Sequence, residues 1–247
     1  MIKDLIKKEV ARQKKSLSLI PSENYASKAV MAAVGSELMN KYAEGYPHKR
    51  YYNGNSIVDH VEDEARRLAL KAFKLNPKEW AANVQSHSGS PANLAVYTGT
   101  LQMGDKILAM SLSEGGHLTH GSPVSLTSKL FQFKHYGVKE DGYLDYDAIM
   151  ATAKEFQPKL IVCGFTAYPR TVDFKKFREI ADAVGARLMA DVSHIAGLIV
   201  GGAHPSPFPY ADIVTFTTHK TLRGPRGAII IARAELIDAI NKALFPG

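Results

Sequence analysis

Lys220 lies in TFTTHKTLRGPRG, residues 215–227, between a strand-like run and a glycine turn, with Thr217, Thr218, His219, Thr221, Arg223 and Arg226 around it. Most lysines are solvated surface groups. One hemmed in by hydroxyls and two arginines holds its proton less tightly, and a free amine is the form that attacks an aldehyde to give a Schiff base. Asp191 closes the apolar run RLMAD and opens Asp-Val-Ser-His, so Asp191 and His194 leave the carboxyl end of an expected strand, where α/β sheets bind ligands. Asp191 could also serve there as a helix cap, and His194 as an ordinary satisfied polar residue. A third feature is the segment SHSGSPAN, residues 86–93, which follows strand-like AANVQ and precedes a helix-compatible stretch with Pro91 in its first turn. Such a junction aims free backbone N–H groups at one point, and Ser88 and Ser90 add hydroxyl donors, which suits a phosphate. A simple strand-to-helix turn reads the same way. Neither G-x-x-x-x-G-K-[ST] nor G-x-G-x-x-G occurs, so the common nucleotide sites are not indicated.

A lysine, a strand-end aspartate and a phosphate-seating helix start together match the needs of pyridoxal 5'-phosphate (PLP). The lysine holds the aldehyde, the aspartate keeps the pyridine nitrogen protonated, and the helix end takes the phosphate.

Positioning these groups calls for a sheet. KILAM (106–110), KLIVCG (159–164), RLMAD (187–191), IVTF (213–216) and AIIIA (228–232) are short, β-rich and bounded by turn residues, as buried strands are. Tyr146, Ile149, Met150 and Ala153 fall on a helical stripe behind Asp145, and Phe174, Phe177, Ile180, Ala181 and Val184 on another behind Asp173, each aspartate a candidate N-cap. The alternation predicts an α/β fold with crossover helices over a largely parallel sheet. Val58, Val61, Ala65, Leu68, Ala69 and Ala72 mark one long helix, whereas residues 40–56 have no clean period and read as loop.

The 247 residues suit one principal domain, and 45% hydrophobic with 22% charged residues excludes disordered and collagen-like classes. No run approaches the ~18 apolar residues of a membrane span, and the charged opening MIKDLIKKEVARQ has no signal-peptide core, so a cytoplasmic protein is expected. The net charge is 31 − 24 = +7, of which residues 1–15 supply 6 − 2 = +4. Ile2, Leu5, Ile6 and Val10 recur there at helical spacing, so this segment reads as an amphipathic helix docked on the body or on a partner subunit. No zinc-finger, RNP or basic-zipper pattern points to nucleic acid. The single cysteine, Cys163, lies in an apolar run and reads as a buried structural thiol.

Six segments in order, LIPSENYAS (19–27), NKYAEGYPHKRYY (40–52), NVQSHSGSPAN (83–93), GGHLTHGSPV (115–124), DVSHIAGLIVGGAHPSPFPYAD (191–212) and TTHKTLRGPRG (217–227), resemble the serine hydroxymethyltransferase (glycine hydroxymethyltransferase) family. The resemblance implies the large domain of a type I, aspartate aminotransferase-like PLP enzyme, with a mostly parallel sheet between helices. It divides the chain into an N-terminal helical arm, residues 1–30, and a PLP-binding domain, residues 31–247. The family continues beyond Phe245-Pro246-Gly247 into a small domain that supplies an arginine for the substrate carboxylate. The implied reaction converts L-serine and tetrahydrofolate to glycine and 5,10-methylenetetrahydrofolate. Within the family pattern, Lys220 holds PLP, Asp191 pairs with its ring nitrogen, His117 stacks on the ring, and Ser88, Gly89 and Ser90 hold the phosphate. Thr166, His194, His219 and Arg226 line the pocket, with His219 counted among the catalytic group. Tyr42, Glu44, Tyr51 and Tyr52 fall where the family reaches across a homodimer interface, Glu44 as a proton shuttle and Tyr42 and Tyr52 towards the cofactor. Tyr51, Leu112, Gly116 and Leu118 match substrate- or folate-side positions, and Ser22 a substrate-side serine.

Pro21, His48, Ser86, Pro91 and Thr166 depart from the family's usual residues. His117 and His120 have a metal-like HxxH spacing without an evident third ligand, and the tyrosines at 42, 46, 51 and 52 could be packing alone. Another PLP-dependent β-hydroxy amino acid aldolase, or a non-catalytic remnant acting as a binding protein, are the competing readings.

Overall fold

Burial on both faces of the central strands fixes the layers. The computed structural model describes residues 1–247. Two short strands, β1 (Gly45–Tyr46) and β2 (Lys49–Arg50), pair as a separate antiparallel hairpin. The main sheet comprises β3 (Trp80–Ser86), β4 (Lys106–Met110), β5 (Gln132–Tyr136), β6 (Leu160–Val162), β7 (Arg187–Asp191), β8 (Ile213–Thr217) and β9 (Ala228–Arg233). Its order is β3-β9-β8-β7-β6-β4-β5, and only β9 runs antiparallel to its neighbours. The helices are α1 (Ile2–Lys15), α2 (Lys28–Val34), α3 (Ser56–Ala72), α4 (Gly89–Thr100), α5 (Thr127–Leu130), α6 (Tyr146–Phe156), α7 (Phe174–Val184), α8 (Ala196–Val200) and α9 (Ile237–Leu244). None is long and apolar enough to cross a membrane.

Successive strand side chains point to opposite faces, so each strand feeds two cores. Leu108, Met110, Ile161, Leu188, Val214, Phe216 and Ile231 pack with Ile149 of α6, Phe177 and Ile180 of α7, and Ala69 of α3. Ile107, Ala109, Leu160, Val162, Met189, Ile213 and Ile230 pack on the other face with Val96 and Tyr97 of α4 and Ile237 and Ile240 of α9. Each fully buried large apolar side chain contributes about 1.5–3 kcal/mol. Both expected N-caps form: Asp145 accepts from the Ala148 N–H at 3.0 Å and Asp173 from the Lys176 N–H at 3.1 Å. Cys163 is buried, and burial pushes its thiol well up.

Three expectations change. Residues 40–56 are not wholly loop, because β1 and β2 form there around His48, whose φ of 63° is left-handed. That conformation favours glycine. A strand at 132–136 was not anticipated; β5 is an edge strand whose Gln132, Lys134 and His135 break the apolar run. Finally, α1 forms as expected but does not dock on the body, which leaves a partner subunit as the other surface expected for its stripe. None of its residues is buried, and Ile2, Leu5, Ile6 and Val10 are all exposed. The first buried residue of the chain is Gly45.

Because β3, β4, β6, β7 and β8 run in one direction, the segments after Ser86, Met110, Val162, Asp191 and Thr217 leave the sheet at one edge. Every candidate group that follows a strand is thereby delivered to the same side.

Candidate active site

Those five segments and one stretch of the arm enclose a cavity of about 430 Å³, a size suited to a small ligand. Ser88, Gly89 and Ser90 start α4; His117 caps and His120 ends a 3₁₀ turn after β4; Phe165 and Thr166 follow β6. Asp191, Ser193 and His194 follow β7, and Thr217, His219, Lys220 and Arg226 come from the end of β8 and the turn beyond it. The arm contributes Ile20, Ser22 and Glu23. It is tied down where the Asn24 side-chain amide donates to the Lys220 carbonyl at 2.9 Å and Arg223 Nε donates to the Tyr25 carbonyl at 3.1 Å.

Asp191 is a buried carboxylate surrounded by donors. The Ser193 N–H and hydroxyl donate to Oδ1 at 3.2 and 2.6 Å, while Asn93 Nδ2 lies 2.9 Å and His120 Nε2 3.2 Å from Oδ2. Burial alone raises its pKa, but the bonds from His120, Ser193 and Asn93 outweigh burial and hold it well below the usual carboxylate range. The helix-cap alternative is excluded, since the N-cap of α8 is Ile195.

Lys220 Nζ lies 3.2 Å from His194 Nε2. Burial is the main cause of a lowered Lys220 pKa; Arg226 adds to it and Asp191 opposes it. Burial, rather than the hydroxyls and two arginines expected from the sequence, is thus the first cause, and Arg223 turns to the arm. Burial, then the Lys220 charge, lowers His194 to about 4. His117 is also lowered, chiefly by burial, and His219 by burial and then Arg226, whose Nη1 lies 3.3 Å from His219 Nε2.

The start of α4 leaves its first N–H groups without partners in the helix. Ser88, its N-cap, makes no side-chain cap bond. At Gly89 a Cβ would come within 3.0 Å of Thr217 Cγ2, so a side chain would crowd the lining where a phosphate would sit. Thr217 Oγ1 is buried with no hydrogen-bond partner in the chain. An orphaned hydroxyl, free amides, a half-buried lysine whose pKa is lowered and a carboxylate held negative fit PLP by the chemistry of the donor set.

Of the residues singled out from the sequence, Ser22, Ser88, Gly89, Ser90, His117, Thr166, Asp191, His194, His219, Lys220 and Arg226 share this cavity. Tyr42 and Glu44 do not; they line a separate cleft of about 680 Å³ with Arg50, Gln85 and His87. Tyr42, Tyr51 and Tyr52 are exposed, Tyr42 and Tyr52 packing edge to face at 5.7 Å. The Glu44 charge and hydrogen bond raise the Tyr52 pKa. Arg50 ties this loop to the body, donating to Asp59 and Glu62 and to the Ala43 and Gly45 carbonyls. Leu112 and Leu118 are exposed outside the cavity, and Gly116 sits where a Cβ would meet the Met110 carbonyl at 2.3 Å. No local sequence signal marks Asn93, Thr119, Ser193 or Thr215 as part of the site. His120 was noticed only for its HxxH spacing.

A family model described as serine hydroxymethyltransferase matches residues 1–247. A curated relative, the serine hydroxymethyltransferase of Methanosarcina barkeri (strain Fusaro / DSM 804), is 61% identical over 246 residues, which cover 99% of this chain and 59% of the relative. The chain thus spans about three fifths of that relative's length. With the family matched from end to end over this fold and cavity, the chain belongs to the serine hydroxymethyltransferase family.

Proposed function

We propose that this chain carries the PLP-binding portion of a serine hydroxymethyltransferase, which reversibly converts L-serine and tetrahydrofolate to glycine and 5,10-methylenetetrahydrofolate. The observation that carries the reading is the convergence of Lys220, Asp191 and the open start of α4 on one cavity. When bound, PLP supplies an electron sink for the pair released as a bond at the amino acid's α-carbon breaks.

The chain's own groups divide the remaining work. Lys220 presents an amine that burial biases towards its unprotonated, nucleophilic form. Asp191 is anionic where the cofactor needs a proton held on its ring nitrogen, and the His117 ring offers a flat face to stack. The Gly89 and Ser90 amides, with the Ser88 and Ser90 hydroxyls, bind phosphate. His194, unprotonated at neutral pH, can accept a proton 3.2 Å from Lys220 Nζ. Thr166, His219 and Arg226 complete the polar wall, and Ser22 reaches the substrate side from the arm.

Glu44 lies outside this cavity within its own chain, so we assign it to the site of a second copy in a homodimer, where it moves a proton at the substrate hydroxyl. Tyr42, Tyr51 and Tyr52 accompany it, and Leu112, Gly116 and Leu118 lie on the folate side. The exposed tyrosines and the uncovered apolar stripe of α1 support that assembly. In the test, purified chain mixed with PLP develops a visible absorption band that Lys220→Ala abolishes, and glycine release from serine requires tetrahydrofolate. A chain that stays colourless refutes cofactor binding, and folate-independent release points instead to another β-hydroxy amino acid aldolase.

A further inference from the structure

His120 is left without a role by the proposed chemistry, yet it is among the most buried polar residues of the chain, at 1% exposure. Its two ring nitrogens are both engaged. Nδ1 accepts from the His117 backbone N–H at 3.2 Å, and Nε2 lies 3.2 Å from Asp191 Oδ2. A nitrogen that accepts from a backbone amide cannot also carry a proton, so the ring proton sits on Nε2 and is donated to the carboxylate.

The same reasoning orients the rest of the cluster. Thr119 N–H donates to His117 Nδ1 at 3.2 Å, and the Thr119 hydroxyl lies 2.8 Å from that nitrogen. His117 therefore accepts at Nδ1 and carries its proton on Nε2. Asn93 Nδ2 donates to both Thr119 Oγ1, at 2.8 Å, and Asp191 Oδ2, at 2.9 Å, while its Oδ1 accepts from the Thr215 hydroxyl at 2.8 Å. Two routes thus join His117 to Asp191, one through Thr119 and Asn93 and one through His120. No donor in the cluster faces another donor.

We propose that His120 is a positioning residue: it fixes Asp191 Oδ2 through Nε2–H and the backbone of His117 through Nδ1, locking the ring-facing carboxylate and the stacking imidazole into one unit. The inference rests on the reading of Asp191 and His117 as the groups that meet PLP. A hydrogen bond to a buried charge that also aims a ligand group should be worth about tenfold in cofactor affinity.

The tautomer is tested first on the wild-type chain without cofactor, by two-bond proton–nitrogen correlation spectra of protein labelled with ¹⁵N-histidine. Protonated Nε2 and bare Nδ1 are expected at both His120 and His117, and a His120 proton on Nδ1 overturns the proposal without any substitution. PLP titration of the wild type, His120→Phe and His120→Gln then reads the consequence. The phenylalanine variant should bind about tenfold more weakly and melt at a lower temperature, since the bond to Asp191 and the acceptor of the His117 N–H are both lost, and glutamine, which keeps a donor in reach of Oδ2, should restore most of the affinity. Equal affinity in His120→Phe, or no recovery in His120→Gln, overturns the positioning role. A wild-type chain that takes up no PLP overturns the functional reading instead, and the tautomer spectrum still decides the hydrogen-bond assignment.

Discussion

Asp191→Asn keeps the shape of the buried side chain, removes its charge and turns one acceptor oxygen into an amide that faces donors, so the variant carries a pH-independent offset while only the wild type titrates at this site. Four donated hydrogen bonds converge on Asp191, from Ser193 twice, Asn93 and His120. Each bond to a charged group is worth about 1.5–3 kcal/mol, while taking the charge out of water costs several kcal/mol. These large opposing quantities make the absolute stability difference a poor test. The pH dependence is a sharper one. The folded pKa lies below the unfolded value, so the stabilisation is fully present above the unfolded pKa of about 3.9 and is lost as pH falls towards the folded pKa. Unfolding takes up one extra proton at this site, which makes the wild type lose about 1.4 kcal/mol per pH unit relative to the variant. The relative loss should be negligible at pH 5, roughly 1 kcal/mol by pH 3, and about 1.4 kcal/mol for each further unit. Urea unfolding of both proteins without cofactor, from pH 6 down to pH 3, measures it. Two profiles that stay parallel over that range would show that Asp191 is not held anionic by its donors, and the argument for the ring-nitrogen partner would go with it.

Lys220→Ala removes the second-largest cause of the low His194 pKa, so His194 should titrate above its present value of about 4, as followed by proton NMR; an unmoved titration would mean that burial alone sets it. Asn93→Leu strips a donor from both Asp191 and Thr119 and orphans the Thr215 hydroxyl, at about 1–3 kcal/mol for each unsatisfied buried group. The expected loss is roughly 2–4 kcal/mol by urea unfolding, and a loss under about 1 kcal/mol contradicts the network. Glu44→Gln should leave PLP uptake intact and impair serine-to-folate transfer, because Glu44 lies outside the cavity of its own chain. Full transfer activity in that variant rules out the proton role.

What the sequence makes legible follows from how each residue earns its position. β4, β6, β7, β8 and β9 are buried on both faces, so their apolar runs mark them without ambiguity, and the aspartates that cap α6 and α7 sit one residue ahead of clean helical stripes. β5 stays hidden because one edge of it faces no partner strand and its polar residues erase the pattern. The same contrast runs through the site. Lys220, Asp191 and Gly89 each stand at the end of a strand or the start of a helix, and a parallel sheet brings such places together whatever the intervening chain does. Asn93 and His120 meet Asp191 across 98 and 71 residues of sequence, from inside a helix and from a 3₁₀ turn, where nothing local announces a buried carboxylate opposite. Arg223 errs the other way: three residues from Lys220, it invites an electrostatic role, yet its guanidinium is spent on the Tyr25 carbonyl. Proximity along the chain overstates coupling for long, flexible side chains at a turn and understates it for short polar ones in the core. The groups that tune Asp191 therefore have to be read from the packing of α4 and the His117–His120 turn against β7, and the hydrogen-bond directions there leave His120 a single ring proton with one place to go.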